Sequence, residues 1–180
     1  DIGDIDDLVN MVDNVGPHIA GLKTHVDMTD GFSMEEWAKV IDVAKKHDLM
    51  LFEDRKFADI GRVTETQMAG MYDIRSWADL VTSHSVSGPD IVDGIASAWD
   101  SVQRVGGVLL LAQMSSRGNL LDASYTDRTM EIGTSSPHVI GYIGNGSNPN
   151  EVSELREKAG DGKMIWTPGV NLSDNEGALG

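Results

Sequence analysis

Residues 51–61 read LFEDRKFADIG. The stretch opens as a buried strand and then carries Glu53, Asp54, Arg55, Lys56 and Asp59 almost without interruption. Buried charges this dense are tolerable only where the side chains satisfy one another. If residues 49–53 are strand, side chains alternate between faces, so Asp54 and Lys56 project one way and Arg55 the other. Asp59 falls in the turn leading to a helix that begins near Thr64. Lys23, which ends the apolar segment IAGL, is placed to enter the same mouth from the preceding strand.

The same alternation runs along the chain. Short runs rich in Val, Ile and Leu at 18–26, 49–53, 80–84, 107–114, 139–144 and 164–167 predict parallel strands covered on both faces. Helix patterns lie between them. Ser33-Met34-Glu35-Glu36 is a capping box that opens WAKVIDVAKKH. Residues 64–71, 90–102 and 150–159 read as helices, the last preceded by Pro149 and stopped by Gly160. SYTDRTMEIGT predicts a helix centred near Arg128, and DIGDIDDLV predicts one whose acids face solvent.

Strand–helix alternation leaves two α/β architectures, a (β/α)₈ barrel or an open doubly wound sheet. Polar residues follow several strands: Lys23, Asp54 and Lys56, His84, Ser115 and Ser116, and Pro168. A barrel draws its site from many strand ends, whereas an open sheet concentrates it at one switch point. The barrel is therefore favoured. The count is short, about six strands where a barrel has eight, and typical barrels run about 250 residues.

The 180 residues predict one domain, 1–180, with a sizeable core. A net charge of −15 argues against nucleic acid or an anionic membrane as partner, because the general field repels phosphate. An anionic substrate must be drawn in by a local cluster of Lys or Arg. Such acidity also suits a salt-rich cytoplasm. The chain contains no cysteine, which excludes disulfides, thiolate zinc sites and cysteine nucleophiles. No apolar run approaches the roughly 20 residues that cross a bilayer, and no signal-peptide pattern opens the chain. A cytoplasmic protein is expected, in which the triplets Asn145-Gly146-Ser147 and Asn171-Leu172-Ser173 are chance matches to a glycosylation site.

Lys23, Asp54, Lys56 and Asp59 together predict an array in which ammonium and carboxylate alternate. A lysine held protonated between carboxylates stabilises developing negative charge and then donates a proton to it. Surface ion pairs at a helix entry would give the same letters, and the D-x-K-x-x-D spacing alone leaves both readings open.

Longer segments carry more. LKTHVD, FEDRKFADIG, SWADLVTSHSVSG, LLLAQMSSRGNL and TPGVNLSDNEGALG, in that order across almost the whole chain, closely resemble the orotidine 5′-phosphate decarboxylase family of the yeast and animal type. The resemblance implies a (β/α)₈ barrel working as a homodimer. It also implies decarboxylation of orotidine 5′-monophosphate to UMP, the last step of de novo pyrimidine nucleotide synthesis, with no metal or organic cofactor. By the same resemblance, Lys56 protonates pyrimidine C6 and Asp54 sits near the departing carboxylate. Lys23 bridges the acids and contacts the ribose, and Asp59 crosses the dimer interface to complete the partner's site. Thr24, His25, Ile60 and Thr64 fall in segments with which the family contacts substrate. Ser116 resembles the residue that reads the pyrimidine edge, and Pro168 resembles one lining the ring pocket.

The match has departures. ADIG is followed by Arg62-Val63 where the family pattern has Asn-Thr, and Thr64 next to it faces about 100° away on a helix. The family's first strand with its ribose-binding Asp, its phosphate-binding Gln and Tyr, and its eighth strand with a Gly-Arg pair are expected outside these residues, as parts of a longer gene product. Two rival readings remain open at this stage. Magnesium-dependent sugar-phosphate decarboxylases and hexulose-phosphate synthases share D-x-K-x-x-D, but place a metal-binding acid where this chain has Lys23. The other rival is a non-catalytic barrel remnant acting as a binding module.

Overall fold

The computed structural model describes residues 3–146 and 149–168. The continuation of TPGV beyond Pro168 and the triplet at 171–173 lie outside the described residues, as does Ser147 of the triplet at 145–147. Among the described residues six strands alternate with six α-helices: α1 (Ile5–Val15), β1 (Gly21–Thr24), α2 (Met34–Lys46), β2 (Met50–Phe57), α3 (Gly61–Met68), β3 (Leu80–Ser83), α4 (Asp90–Asp100), β4 (Gly107–Leu111), α5 (Ala123–Ser135), β5 (Val139–Ile143), α6 (Pro149–Ala159) and β6 (Met164–Trp166). All six strands lie where the apolar runs predict them.

Helices α1, α2 and α5 begin where short polar side chains satisfy their unpaired amides, whereas α3 and α4 have no side-chain cap. The Asp4 carboxylate accepts from the Asp7 N–H at 3.0 Å, the Ser33 hydroxyl from Glu36 at 3.1 Å, and the Asp122 carboxylate from Tyr125 at 2.8 Å. Lys45 and Lys46 close α2 at the negative end of its dipole.

The sheet order is β1-β2-β3-β4-β5-β6, every pair parallel. An order that never reverses has no switch point, which rules out the doubly wound sheet and fits the (β/α)₈ barrel. The sheet is curled into a half-barrel. Phe52 on β2 reaches Trp166 on β6, ring centroids 5.4 Å apart. Period-two alternation divides the apolar residues between two cores. Leu22, Leu51, Val81, Val108 and Leu110 pack outward against helices, with Trp37, Trp77 and Trp99. Phe52, Leu80 and Leu109 pack inward with Ile140, Ile143 and Trp166. Among the described residues no helix is long and apolar enough to cross a membrane.

Two boundaries differ from the sequence reading. Strand β2 continues past residue 53 to Phe57, through a register shift between Glu53 and Phe57. Helix α3 begins at Gly61 rather than near Thr64. The reason lies in α4, whose backbone approaches so closely that a Cβ on Gly61 would stand 2.2 Å from the Asp90 carbonyl oxygen. A Cβ on Gly94 would stand 2.2 Å from the carbonyl of Gly61 itself. Paired glycines let the two helices touch, and that contact fixes the turn carrying Asp59.

Candidate active site

Inward-facing positions near the ends of β1, β2 and β3 bring Lys23, Asp54, Lys56 and Thr82 together. Lys56 Nζ donates to Asp54 Oδ2 at 2.8 Å, and Lys23 Nζ donates to the same oxygen at 3.3 Å. Asp54 Oδ1 is occupied separately, accepting from the Thr82 hydroxyl at 2.8 Å. The Asp54 side chain is only 13% exposed, against 46% for Lys23 and 38% for Lys56. The carboxylate is thus sunk in the barrel wall, with both ammonium heads above it. Burial pushes the Asp54 pKa up, but the Lys56 and Thr82 hydrogen bonds and the two lysine charges outweigh burial and hold it below the ordinary carboxylate value.

His25 joins the cluster, with Nε2 3.1 Å from Lys23 Nζ and 3.5 Å from Asp54 Oδ2. Burial, and then the Lys23 charge, lower its pKa. In its neutral form the ring would accept from the Lys23 ammonium at Nε2, with its proton on Nδ1. His84, just past β3, is also held toward the neutral form by burial and by the Lys56 charge. Arg55 points away from the cluster and pairs with Asp27 at 3.1 Å.

A cavity of about 440 Å³ opens over this cluster, lined by Lys23, Asp54, Lys56, Phe52, Ser115, Trp166 and Pro168 among others. It has an apolar floor and charged groups along one side, the arrangement by which small-ligand sites combine burial with orientation. Pro168 stands on its wall. Ser115 lines it too, whereas its equally exposed neighbour Ser116 does not, its carbonyl accepting from the Asn119 side chain at 2.7 Å.

The remaining residues singled out in the sequence lie elsewhere in this chain. Thr24 faces outward and is buried, its hydroxyl donating to Glu53 Oε2 at 2.7 Å. Thr64 is fully buried, its hydroxyl donating to the Asp59 carbonyl at 3.2 Å. Ile60 is 58% exposed at the start of α3. Asp59 is exposed, and its carboxylate accepts from the Ile60 N–H at 2.8 Å. Its carbonyl accepts from the Ser87 hydroxyl at 2.9 Å. Of the four residues of the expected array, Lys23 and Lys56 converge on Asp54, and Asp59 is exposed away from them.

The sequence reading missed two groups. Glu53 is fully buried on the outer face, accepting from the Thr24 hydroxyl and, at 3.2 Å, from the Val26 N–H. Burial raises its pKa to about 7. Thr82 is uncharged and lies inside an apolar strand, so its letters carry no signal. For Glu53 the signal was available: strict alternation from Asp54 sends it to the opposite face.

The family model for the orotidine 5′-phosphate decarboxylase / HUMPS family matches residues 1–180. The chain is 41% identical over 184 residues to orotidine 5′-phosphate decarboxylase of Torulaspora delbrueckii, covering all of this chain and 67% of that protein. It is 42% identical over 178 residues to the protein of that name from Maudiozyma exigua, covering 97% and 64%. It thus spans about two thirds of the length of these curated relatives. The crystal structure of orotidine 5′-phosphate decarboxylase from Pyrococcus horikoshii OT3 superposes with a TM-score of 0.78 at 20% identity, covering 98% of this chain and 79% of that one. At that identity the likeness speaks for the fold.

Proposed function

The chain belongs to the orotidine 5′-phosphate decarboxylase / HUMPS family, and from that premise we propose that it decarboxylates orotidine 5′-monophosphate to UMP as a carboxy-lyase without metal or organic cofactor. The observation that carries the proposal is the shared oxygen: Asp54 Oδ2 bound by Lys56 and by Lys23 on the wall of a 440 Å³ cavity.

In the proposed reaction the bond between C6 and the carboxylate breaks, CO₂ leaves, and the electron pair stays on C6. The Lys56 ammonium stabilises that charge and gives its proton to C6, becoming a neutral amine that solvent reprotonates. Asp54 holds Lys56 in line and stands near the departing carboxylate. Lys23, steadied by His25, contacts the ribose. Pro168 and the serine pair at 115–116 bound the pyrimidine.

Asp59 completes a partner's site in a homodimer, and it stands on a suitable surface. Ile60, Val63 and Val86 flank it as exposed apolar side chains, the kind of patch a second copy would cover. Thr64 is left out of the substrate contacts, because its hydroxyl is buried and committed to the Asp59 carbonyl.

The magnesium-dependent rival is disfavoured by charge. Two ammonium groups within 3.3 Å of Asp54 Oδ2 oppose a divalent cation at that oxygen. The assay is loss of orotidine 5′-monophosphate with release of CO₂ by the protein carrying this chain, with and without a chelator. Lys56→Ala is expected to lower kcat at least about 100-fold. Undiminished turnover in that variant removes Lys56 from its role, and turnover abolished by chelator favours the metal-dependent rival.

A further inference from the structure

Thr82 lies on β3 with no exposed surface. Its hydroxyl oxygen accepts from the backbone N–H of Lys56 at 2.8 Å and donates to Asp54 Oδ1 at 2.8 Å. A hydroxyl has one proton. With an amide N–H already pointing at the oxygen, that proton goes to the carboxylate. The bond to Asp54 therefore has a fixed direction and leaves Oδ2 free for both lysines.

The backbone explains why this hydroxyl is needed. Glu53 pairs with Val81 and Phe57 with Ser83, so residues 54, 55 and 56 all stand opposite Thr82. The extra residues interrupt the ladder, and such bulges re-aim side chains next to active sites. Lys56 sits within the bulge at φ 52°, a left-handed conformation that a lysine rarely adopts. Its amide finds in the Thr82 side chain the acceptor that a regular strand would have supplied from backbone.

We infer that Thr82 is the positioning residue of this site, one hydroxyl locking the bulge at residues 54–56 and turning Asp54 so that its second oxygen meets Lys23 and Lys56. Its kinetic consequence rests on the decarboxylase reading above, whereas its geometric consequence does not. Two measurements on the whole protein separate them.

The first is a carboxyl NMR titration of Asp54. Thr82→Val removes the donor while keeping the shape, so the Asp54 midpoint rises. Thr82→Ser keeps the donor and holds the wild-type midpoint. An unmoved midpoint in Thr82→Val, or an equal rise in Thr82→Ser, overturns the inference. Thr82→Ala serves as the hydroxyl-free variant if circular dichroism shows that the valine form does not fold.

The second measurement is turnover. Thr82→Val is expected to lower kcat about 10- to 100-fold with KM within about threefold, and Thr82→Ser to recover most of the loss. Wild-type kcat in Thr82→Val overturns the inference. A wild-type protein that releases no CO₂, while Thr82→Val still raises the Asp54 midpoint, refutes the decarboxylase reading and supports the positioning role.

Discussion

Phe52 on β2 and Trp166 on β6 meet edge to face, ring centroids 5.4 Å apart at an interplanar angle of 63°, although three strands lie between theirs. The contact marks how far the sheet has curled, and both rings line the cavity that holds Asp54 and Lys56. Phe52 is 4% exposed. Phe52→Ala is therefore expected to destabilise by about 3 kcal/mol or more, from lost transfer energy and the void left beneath the lysines. A double-mutant cycle with Trp166→Ala in urea should give a coupling of about 0.5–1.5 kcal/mol. Strict additivity would mean the rings do not hold the curl.

Glu53 contributes a pH dependence of stability near neutrality, opposite in sign to that of His25 and His84, whose pKa values are lowered. Its pKa rises from 4.5 to about 7, mainly through burial. The Thr24 and Val26 hydrogen bonds and Arg55 oppose that rise, while Asp27 adds to it. A raised folded-state pKa means the folded protein binds the proton more tightly. The contribution is fully present below about 4.5 and lost as pH climbs through about 7. Each unit of separation is worth about 1.4 kcal/mol, so the loss is at most about 3.5 kcal/mol. Glu53→Gln keeps the acceptor for Thr24 and removes the titration. Between pH 5 and pH 8 the urea midpoint of the wild type should fall relative to that of Glu53→Gln, in which the His25 and His84 contributions remain. Parallel pH slopes in the two proteins would refute this assignment.

Gly94→Ala tests the contact between α3 and α4. Alanine in a helix gains up to about 1 kcal/mol over glycine. Here the new methyl would stand 2.2 Å from a backbone oxygen that cannot swing aside, and forced overpacking costs about 1–3 kcal/mol. The expected result is a lower thermal midpoint despite the better propensity. A raised midpoint would show that the two helices part freely.

How much of this was legible depends on which physical rule each residue obeys. The strands announced themselves because a parallel sheet covered on both sides needs continuous apolar runs, and 80–84 or 107–114 can hardly be anything else. Helix α2 announced its start through the Ser33 capping box, whereas the Asp4 and Asp122 caps of α1 and α5 emerged only with the structure. Charge pairing across β1 and β2 was legible in Lys23, Asp54 and Lys56 because like-facing positions recur every second residue. The bulge was not legible. Lysine at φ 52° breaks local preference, and the group that compensates it, Thr82, is 26 residues away and looks like any strand threonine. Ser115 against Ser116 was not legible either, since a loop has no periodicity to say which of two neighbours faces the cavity.

Asp59 carries the last prediction. Its carbonyl is held by Thr64 and Ser87, so the turn is firm, while its carboxylate is exposed and, among the described residues, accepts from the adjacent Ile60 amide alone. The turn presents this carboxylate beside the exposed apolar Ile60 and Val63, and the proposed dimer puts it in the partner's cavity. Lys56→Ala and Asp59→Asn should then each be nearly inactive alone. Equal mixing with subunit exchange makes half the dimers hybrids, and each hybrid carries one site with both Lys56 and Asp59 intact. Activity should return to about a quarter of the wild-type value. If Asp59 acted within its own chain, every site in the mixture would lack one of the two groups and no activity would return.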